Sequence, residues 1–196
     1  GDRIIARMHV AENGALLQKI RVTGHGPAPK VADQGPLPLR SGQLLPATPV
    51  QVSSGDTISL GADQGGRVLL TFLYTTCPMP DYCPAMVGRL KQLQPDLPKG
   101  AKVVAVTLDP EHDTLEVLDA FASQVGADPK RWVFARVEQA ALETLAMRAA
   151  LSVMREGGQI LHGHRFLVLD TDGTLIERYD DNRWPTERVL QQLATG

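Results

Sequence analysis

The residues with the clearest chemical potential are Cys77 and Cys83, which lie six positions apart and are the two cysteines of a 196-residue chain. The segment that joins them is rich in proline, reading CPMPDYCP from residue 77 to residue 84. A thiolate attacks disulfides and binds soft metal ions. Closing so small a ring contributes only about 2 kcal/mol on the chain-entropy view, which suits a redox switch better than a structural disulfide. A structural disulfide and two buried free cysteines are the alternatives.

The cysteine segment is predicted to connect a strand with a helix. Residues 68–74 form a nearly continuous apolar run, which is typical of a strand buried on both faces, and Pro84 suits the first turn of a helix. The start of a helix carries a partial positive charge, which favours thiolate over thiol. We therefore expect the pKa of Cys83 to lie below its ordinary value.

Two histidines near the end of the chain, His162 and His164, could supply an imidazole ligand. Both are predicted to enter a core strand, where positions two apart share a face. Two thiolates and one imidazole form a soft, three-coordinate set that selects Cu(I), and the imidazole also suits Cu(II). Zinc is the weaker prediction because it usually takes a fourth ligand or a water. A single strand histidine, however, is more often only a hydrogen-bonded residue.

A second group of polar residues, Asp109, His112 and Asp113, follows another apolar run, residues 102–108. These side chains could support the cysteine site, but turn and helix-capping roles explain most of the cluster. Asp113 or Thr114 is the predicted cap of the next helix.

Composition excludes several classes of function. The formal net charge of −2 lacks the excess of Lys and Arg that marks nucleic-acid binding, so no nucleic-acid partner is expected. No stretch approaches 18 apolar residues, so no membrane span is predicted in this chain. With 43% hydrophobic and 21% charged residues, the chain has the composition of a folded protein.

The order of predicted elements favours an α/β, thioredoxin-like three-layer sandwich with a mixed central sheet. Strands alternate with helices, which gives parallel neighbours, and a final hairpin around Asp172-Gly173 adds an antiparallel edge. The four strands expected to be neighbours in one sheet are residues 68–74, 102–108, 132–137 and 165–169.

Three regions of the chain differ in composition. Residues 1–25 alternate as a β-hairpin with a turn at Asn13-Gly14, a candidate remnant of an N-terminal β domain. Residues 26–49 are rich in proline and glycine and are predicted to be a linker, and residues 50–196 form the thioredoxin-like domain.

Three ordered motifs in that domain resemble the Sco/SenC family, the copper-binding thioredoxin-fold proteins of cytochrome c oxidase assembly. They are the segment FLYTTCP at residues 72–78 with Cys83-Pro84 after it, TLDPEHDT at residues 107–114, and His162 ten positions before Asp172-Gly173. The resemblance implies that Cys77, Cys83 and His162 are the metal ligands and that His164 has no assigned role. Five residues separate the cysteines where the usual family loop has three, so CPxPxxCP is typical of a variant branch.

The resemblance implies a metallochaperone that holds copper, Cu(I) or Cu(II), and passes it to a cytochrome c oxidase subunit or another copper protein. The alternative is a thiol–disulfide oxidoreductase in which Cys77 and Cys83 are catalytic, and a peroxiredoxin-like peroxidase is a third hypothesis. Whether the chain is an enzyme therefore stays open. The first two hypotheses imply a thiol–disulfide reductant as partner and a periplasmic or other extracytoplasmic location, with an anchor in a segment absent from this chain.

Overall fold

The computed structural model describes residues 2–11, 14–26, 36–62, 65–157 and 159–194. The chain divides into two compact units, Gly1–Gly35 and Pro36–Gly196. No helix among the described residues is both long enough and apolar enough to cross a membrane.

The first unit contains the predicted hairpin. Strands β1, Arg3–Ala11, and β2, Gly14–Gly24, pair antiparallel, with Ile4 opposite Val22. Asn13 of the predicted turn lies outside the described residues.

The second unit is built on a seven-stranded mixed sheet with the strand order β11-β10-β5-β6-β7-β3-β4. Strands β5, β6 and β7 are parallel, while β10 runs antiparallel to both β5 and β11. The thioredoxin-like α/β fold and the predicted set of four neighbouring strands are therefore confirmed. The strands of this unit are β3 Thr48–Val52, β4 Thr57–Leu60, β5 Val68–Leu73, β6 Lys102–Thr107, β7 Trp132–Arg136, β8 Val153–Glu156, β9 Gln159–His162, β10 Phe166–Leu169 and β11 Leu175–Tyr179.

Helices α1 Cys83–Leu93, α2 Leu115–Val125 and α3 Gln139–Arg148 each connect two strands, and α4 Thr186–Leu193 follows β11. Helix α1 begins at the second cysteine with Pro84 in its first turn, as the sequence indicates, and a 3-10 turn, Gln94–Asp96, follows its end. Helix α2 is capped by Thr114, whose hydroxyl accepts the Val117 N–H at 3.3 Å.

The core lies on both faces of the central strands. All six residues of β5 are buried, and so are residues 103–107 of β6. Helix α1 contributes Met86 and Leu90, which are fully buried against this sheet. Burial on two faces explains why these strands have continuous apolar sequences, and it gives the carboxyl end of β5 a rigid base.

The second unit begins before the predicted domain boundary at residue 50. Residues 36–47, the final part of the predicted linker, belong to this unit, and their Leu39 and Leu45 are buried. The Gly42 N–H donates to the Leu175 carbonyl, and the Leu175 N–H donates to the Gln43 carbonyl, both at 2.8 Å. Residues 27–35 of the predicted linker lie outside the described residues.

Strands β8 and β9 form a separate two-stranded hairpin that the sequence pattern did not predict. His162 is the last residue of β9, and His164 lies in the connection to β10. The prediction that both histidines enter a core strand is therefore wrong. The apolar run that continues into the sheet begins only at Phe166, because the polar and glycine residues before it form the connection.

Candidate thiol and metal-binding site

The cysteine segment lies at the carboxyl end of β5, beside its parallel neighbour β6. In open α/β sheets, loops at this edge commonly form functional sites. Cys77 lies in the loop and is half-buried, whereas Cys83 begins α1 and is only 3% exposed. Both cysteines are free thiols.

His162 reaches the buried cysteine from the β8–β9 hairpin. Its Nε2 lies 3.6 Å from the Cys83 Sγ, although 79 positions separate the two residues in sequence. Its Nδ1 lies 2.8 Å from the Gly163 carbonyl oxygen. A carbonyl can only accept a hydrogen bond, so Nδ1 carries the ring proton and Nε2 presents its lone pair to the sulfur.

The spacing of sulfur and nitrogen fits a shared metal ion. With metal–sulfur and metal–nitrogen bonds of about 2.3 and 2.0 Å at a tetrahedral angle, the two donor atoms are about 3.5 Å apart. The observed distance is 3.6 Å. Within the described part of the chain, however, no three Cys, His, Asp or Glu side chains are grouped so as to hold a metal ion. Cys83 and His162 therefore form a close sulfur–nitrogen pair, and the Cys77 thiol reaches Cys83 without completing a group of three.

The two thiols differ in acidity. Burial, with a smaller contribution from the neighbouring Cys77, raises the pKa of Cys83 to about 12. Burial also opposes ionisation of Cys77, but hydrogen bonds from the Met79 backbone and from Cys83 outweigh it, so the pKa of Cys77 lies below its ordinary value. The expectation of a lowered pKa for Cys83 is therefore wrong, because loss of solvent outweighs the partial charge at the helix start.

Tyr74 connects the hairpin that carries His162 to the end of β5. Its hydroxyl donates to the Ile160 carbonyl of β9 at 2.9 Å, and its ring meets the His162 imidazole edge-on, with 5.8 Å between ring centroids. Burial, together with the nearby Cys77 thiol, raises the pKa of Tyr74 to about 12. Tyr74 is therefore a neutral donor that holds β9 to the end of β5, and its ring packs against the imidazole.

His164 contacts the cysteine loop rather than the thiols. Its ring stacks on Tyr82 with a centroid distance of 5.0 Å and an interplanar angle of 23°. Burial lowers the pKa of His164, although a hydrogen bond to the Tyr82 backbone acts in the opposite direction. Tyr82 precedes Cys83 directly, so this stacking steadies the residue at which the loop enters α1.

The polar residues after β6 form a buried cluster around Asp113, which is 0% exposed. Its carboxylate accepts the Thr75 N–H at 3.1 Å and the hydroxyls of Thr75 and Thr107, and the His112 Nδ1 donates to it at 3.1 Å. Asp113 therefore joins the ends of β5 and β6, while the capping role falls to Thr114 alone. Asp109 is tied into the cluster through its N–H, which donates to the Thr107 hydroxyl at 3.0 Å.

Tyr74, Thr75 and Thr107 were not among the site residues predicted from sequence. The signal available in sequence was the position of their polar groups at the carboxyl ends of two buried apolar runs. Met86, by contrast, is fully buried and belongs to the core, which agrees with the interpretation of its helical spacing.

Comparison with known proteins identifies relatives of the second unit. The SCO1/SenC family profile matches residues 52–195. No curated protein matches the chain in sequence.

Several solved structures share the fold. A SCO1/SenC family lipoprotein from Bacillus anthracis is 21% identical over 78% of this chain and 94% of that chain, with a TM-score of 0.68. BsSco, a member of the Sco family of cytochrome c oxidase assembly proteins in which a disulfide switch has been identified, is 23% identical over 80% and 93% of the two chains, with a TM-score of 0.66. Arabidopsis thaliana ScoI with copper bound is 16% identical over 74% and 93%, with a TM-score of 0.62.

Proposed function

Because this chain belongs to the SCO1/SenC family, we propose that it binds copper through Cys77, Cys83 and His162 and delivers it for the assembly of cytochrome c oxidase. Copper in this proposal is the cargo of the protein. The observation that carries the proposal is the 3.6 Å approach of the His162 Nε2 to the Cys83 Sγ. A lone pair of fixed direction beside a sulfur is the arrangement that a soft metal ion requires.

The relatives support the same cargo. The Arabidopsis protein is a copper-bound Sco structure, and BsSco belongs to a family of oxidase assembly proteins. The thiolate and imidazole donors of this chain suit Cu(I), and the imidazole also suits Cu(II). The recipient is then a cytochrome c oxidase subunit or another copper protein.

Loading of copper has a structural requirement in this chain. Cys83 and His162 already face each other, and Cys77 hydrogen-bonds with Cys83, but in the described part of the chain the three side chains are not grouped for metal binding. The five residues between the cysteines provide the length for Cys77 to turn toward the pair. His162 is held by the Gly163 carbonyl and by the edge-on contact with Tyr74, so Cys77 is the ligand that moves.

A copper titration tests the proposal. Reduced wild-type protein should bind one equivalent of Cu(I) in competition with a calibrated chelator. The variant His162→Ala should weaken that binding at least about tenfold, because the loss of the imidazole leaves two thiolates or admits water, a poor ligand for a soft ion.

The matched control is His164→Ala, which removes an imidazole two residues away that contacts Tyr82 rather than the thiols. Its affinity for Cu(I) should stay within about threefold of the wild-type value. A wild-type protein that binds no Cu(I), or equal losses in the two variants, would contradict the proposed ligand set.

A second candidate function, thiol–disulfide oxidoreductase, is favoured by the difference between the two thiols. Cys77 is half-exposed with a lowered pKa, as an attacking thiol requires, while Cys83 is buried and protonated, as a resolving thiol can be. Reduction of a model disulfide should depend on both cysteines and change little in His162→Ala. Reduction without copper binding would make this the function of the chain.

Both candidate functions place the protein outside the cytoplasm. Its thiols need a reductant there, because an oxidising compartment converts exposed dithiols to disulfides. One structural relative, the Bacillus anthracis protein, is a lipoprotein, which supports an extracytoplasmic, membrane-anchored location for this chain as well.

A further inference from the structure

A groove opens beside the two thiols, between helices α1 and α2. Its volume is about 350 Å³, and both Cys77 and Cys83 line it. Cys83 is only 3% exposed, whereas Cys77 is half-buried, so Cys77 is the thiol that a molecule in the groove can reach. A partner that exchanges a ligand or a disulfide with this thiol pair can therefore approach along the groove.

The groove has a definite length, which helix α1 sets. Cys83, Val87 and Lys91 lie four positions apart along α1, on one face, and all three line the groove. Eight residues of helix, from Cys83 to Lys91, span about 12 Å, and the Cys77 thiol lies beside the start of this span because it hydrogen-bonds with Cys83. An extended peptide covers the same distance in about four residues. The groove therefore matches a short extended segment of chain.

The lining changes in chemistry along this length. Its middle is apolar, formed by half-buried Val87 on α1 and by Phe121 and Val125 on α2. Gly88 leaves this stretch open, because a Cβ added there would meet nothing within 4 Å. Its far end carries Lys91, the one charged side chain among the described residues that line the groove. The order along the groove is thiol, apolar surface, cation.

We propose that this groove docks an extended segment of the protein that receives the copper. In that segment a cysteine meets Cys77, an apolar residue two positions away covers Val87 and Phe121, and an acidic residue four positions away pairs with Lys91. The spacing follows from the extended chain, in which every second side chain points to the same side. This inference rests on the proposed function for the identity of the partner, but the groove itself recognises peptide sequence.

The test uses short peptides whose single cysteine forms a disulfide with 5-thio-2-nitrobenzoate. The Cys77 thiolate attacks the peptide sulfur, a protein–peptide disulfide forms, and the aromatic thiolate leaves and is measured by its absorbance. The probe Cys-Ser-Leu-Ser-Glu carries the proposed pattern. Cys-Ser-Ser-Ser-Glu lacks the apolar residue, and Cys-Ser-Leu-Ser-Lys reverses the charge. Each probe is also made in reverse order, because the groove can take a strand in either direction.

For the reduced wild-type protein, the patterned probe in its better direction should react at least about fivefold faster than each of the two altered probes, since it adds apolar contact and an ion pair. Equal rates for the three probes in both directions would overturn the proposal.

Substitutions in and beside the groove test whether the preference for the patterned probe arises there. Gly88→Trp fills the open stretch of the groove and should abolish the preference, whereas Gln92→Trp places the same side chain on an exposed position of α1 outside the groove and should retain it. Lys91→Glu should reverse the charge preference without filling the groove. A preference unchanged in both Gly88→Trp and Lys91→Glu would place recognition elsewhere and overturn the proposal.

Failure of the groove is distinguishable from failure of the copper function. The peptide measurement contains no copper, and the copper titration contains no peptide. Loss of the peptide preference in a protein that binds Cu(I) refutes the groove alone, while a retained preference in a protein without copper affinity refutes the metal site alone.

Discussion

Two clusters of polar side chains lie at the carboxyl ends of β5 and β6, and their buried groups differ in how they are hydrogen-bonded. In the Asp113 cluster, formed with Thr75, Thr107 and His112, the carboxylate accepts hydrogen bonds from both threonines and from the histidine. In the thiol–imidazole cluster, formed by Cys77, Cys83 and His162, the buried sulfur faces a nitrogen lone pair at 3.6 Å. The first cluster surrounds its carboxylate with donors, while the second joins its sulfur and nitrogen by an S–H···N hydrogen bond whose proton a metal ion would have to displace.

The difference shows how the Asp113 cluster can hold the start of the cysteine loop in place beside the thiol–imidazole cluster. Thr75 belongs to the Asp113 cluster and lies two residues before Cys77. The start of the cysteine loop is therefore fixed two residues before the thiol. A buried carboxylate with several donors resists displacement, because any movement would leave polar groups without partners.

The largest expected effect is on stability, from a substitution in the Asp113 cluster. Asp113→Ala should lower the free energy of unfolding by about 3 kcal/mol, because it leaves the Thr75 N–H and the hydroxyls of Thr75 and buried Thr107 without their acceptor. Urea denaturation measures the loss. His112→Ala removes a half-exposed donor from the same carboxylate and should cost only about 0.5 kcal/mol. Similar losses of stability in the two variants would show that the buried carboxylate of Asp113 contributes no more than the half-exposed imidazole of His112.

The next effect concerns reactivity within the thiol–imidazole cluster. At neutral pH, iodoacetamide should modify Cys77 at least about 100-fold faster than Cys83, because Cys77 is accessible and its lowered pKa supplies thiolate. The rate at Cys77 should rise with pH along a titration curve whose midpoint lies below that of an ordinary cysteine. Mass mapping of the modified peptides gives both rates.

Denatured protein provides the reference for this measurement, since unfolding should bring the two rates together. Equal rates in the folded protein would show that the two thiols are equivalent, and the attacking and resolving roles would then have no structural basis.

The smallest effect concerns the connection between the two clusters, which Tyr74 provides beside Thr75. Tyr74→Phe should cost about 1 kcal/mol, because the Ile160 carbonyl loses its hydroxyl donor. Hydrogen exchange should become faster in β8 and β9 but not in β5, since only the hairpin loses an attachment. Unchanged exchange in the hairpin would mean that Tyr74 does not hold the histidine strand in place.

The parts of the fold that follow from local pattern were predictable. The apolar runs of β5 and β6 indicate buried strands, and Pro84 indicates the start of α1, so the position of the cysteine loop follows directly. The β8–β9 hairpin was missed even though Gly157-Gly158 is a turn signal between its strands, because short polar strands outside the main sheet have a weak pattern.

The properties that depend on tertiary surroundings were not predictable in the same way. The helix start suggested an acidic Cys83, but its burial depends on neighbours distant in sequence, and burial raises its pKa to about 12. Likewise, the prolines in residues 36–47 suggested a linker, and sequence pattern alone could not show that Leu39 and Leu45 pack into the core.

The backbone pairing of residues 42–45 with β11 also bears on self-association. Strand β11 is one edge of the seven-stranded sheet, and an unpaired edge is a template for strand addition by other copies. The hydrogen bonds between Leu175 and residues 42 and 43, and from the Ser41 hydroxyl to the Ile176 carbonyl, occupy part of that edge. By covering this edge, residues 42–45 should reduce strand addition between copies. A truncated form of the second unit should therefore begin at Pro36 rather than at Val50.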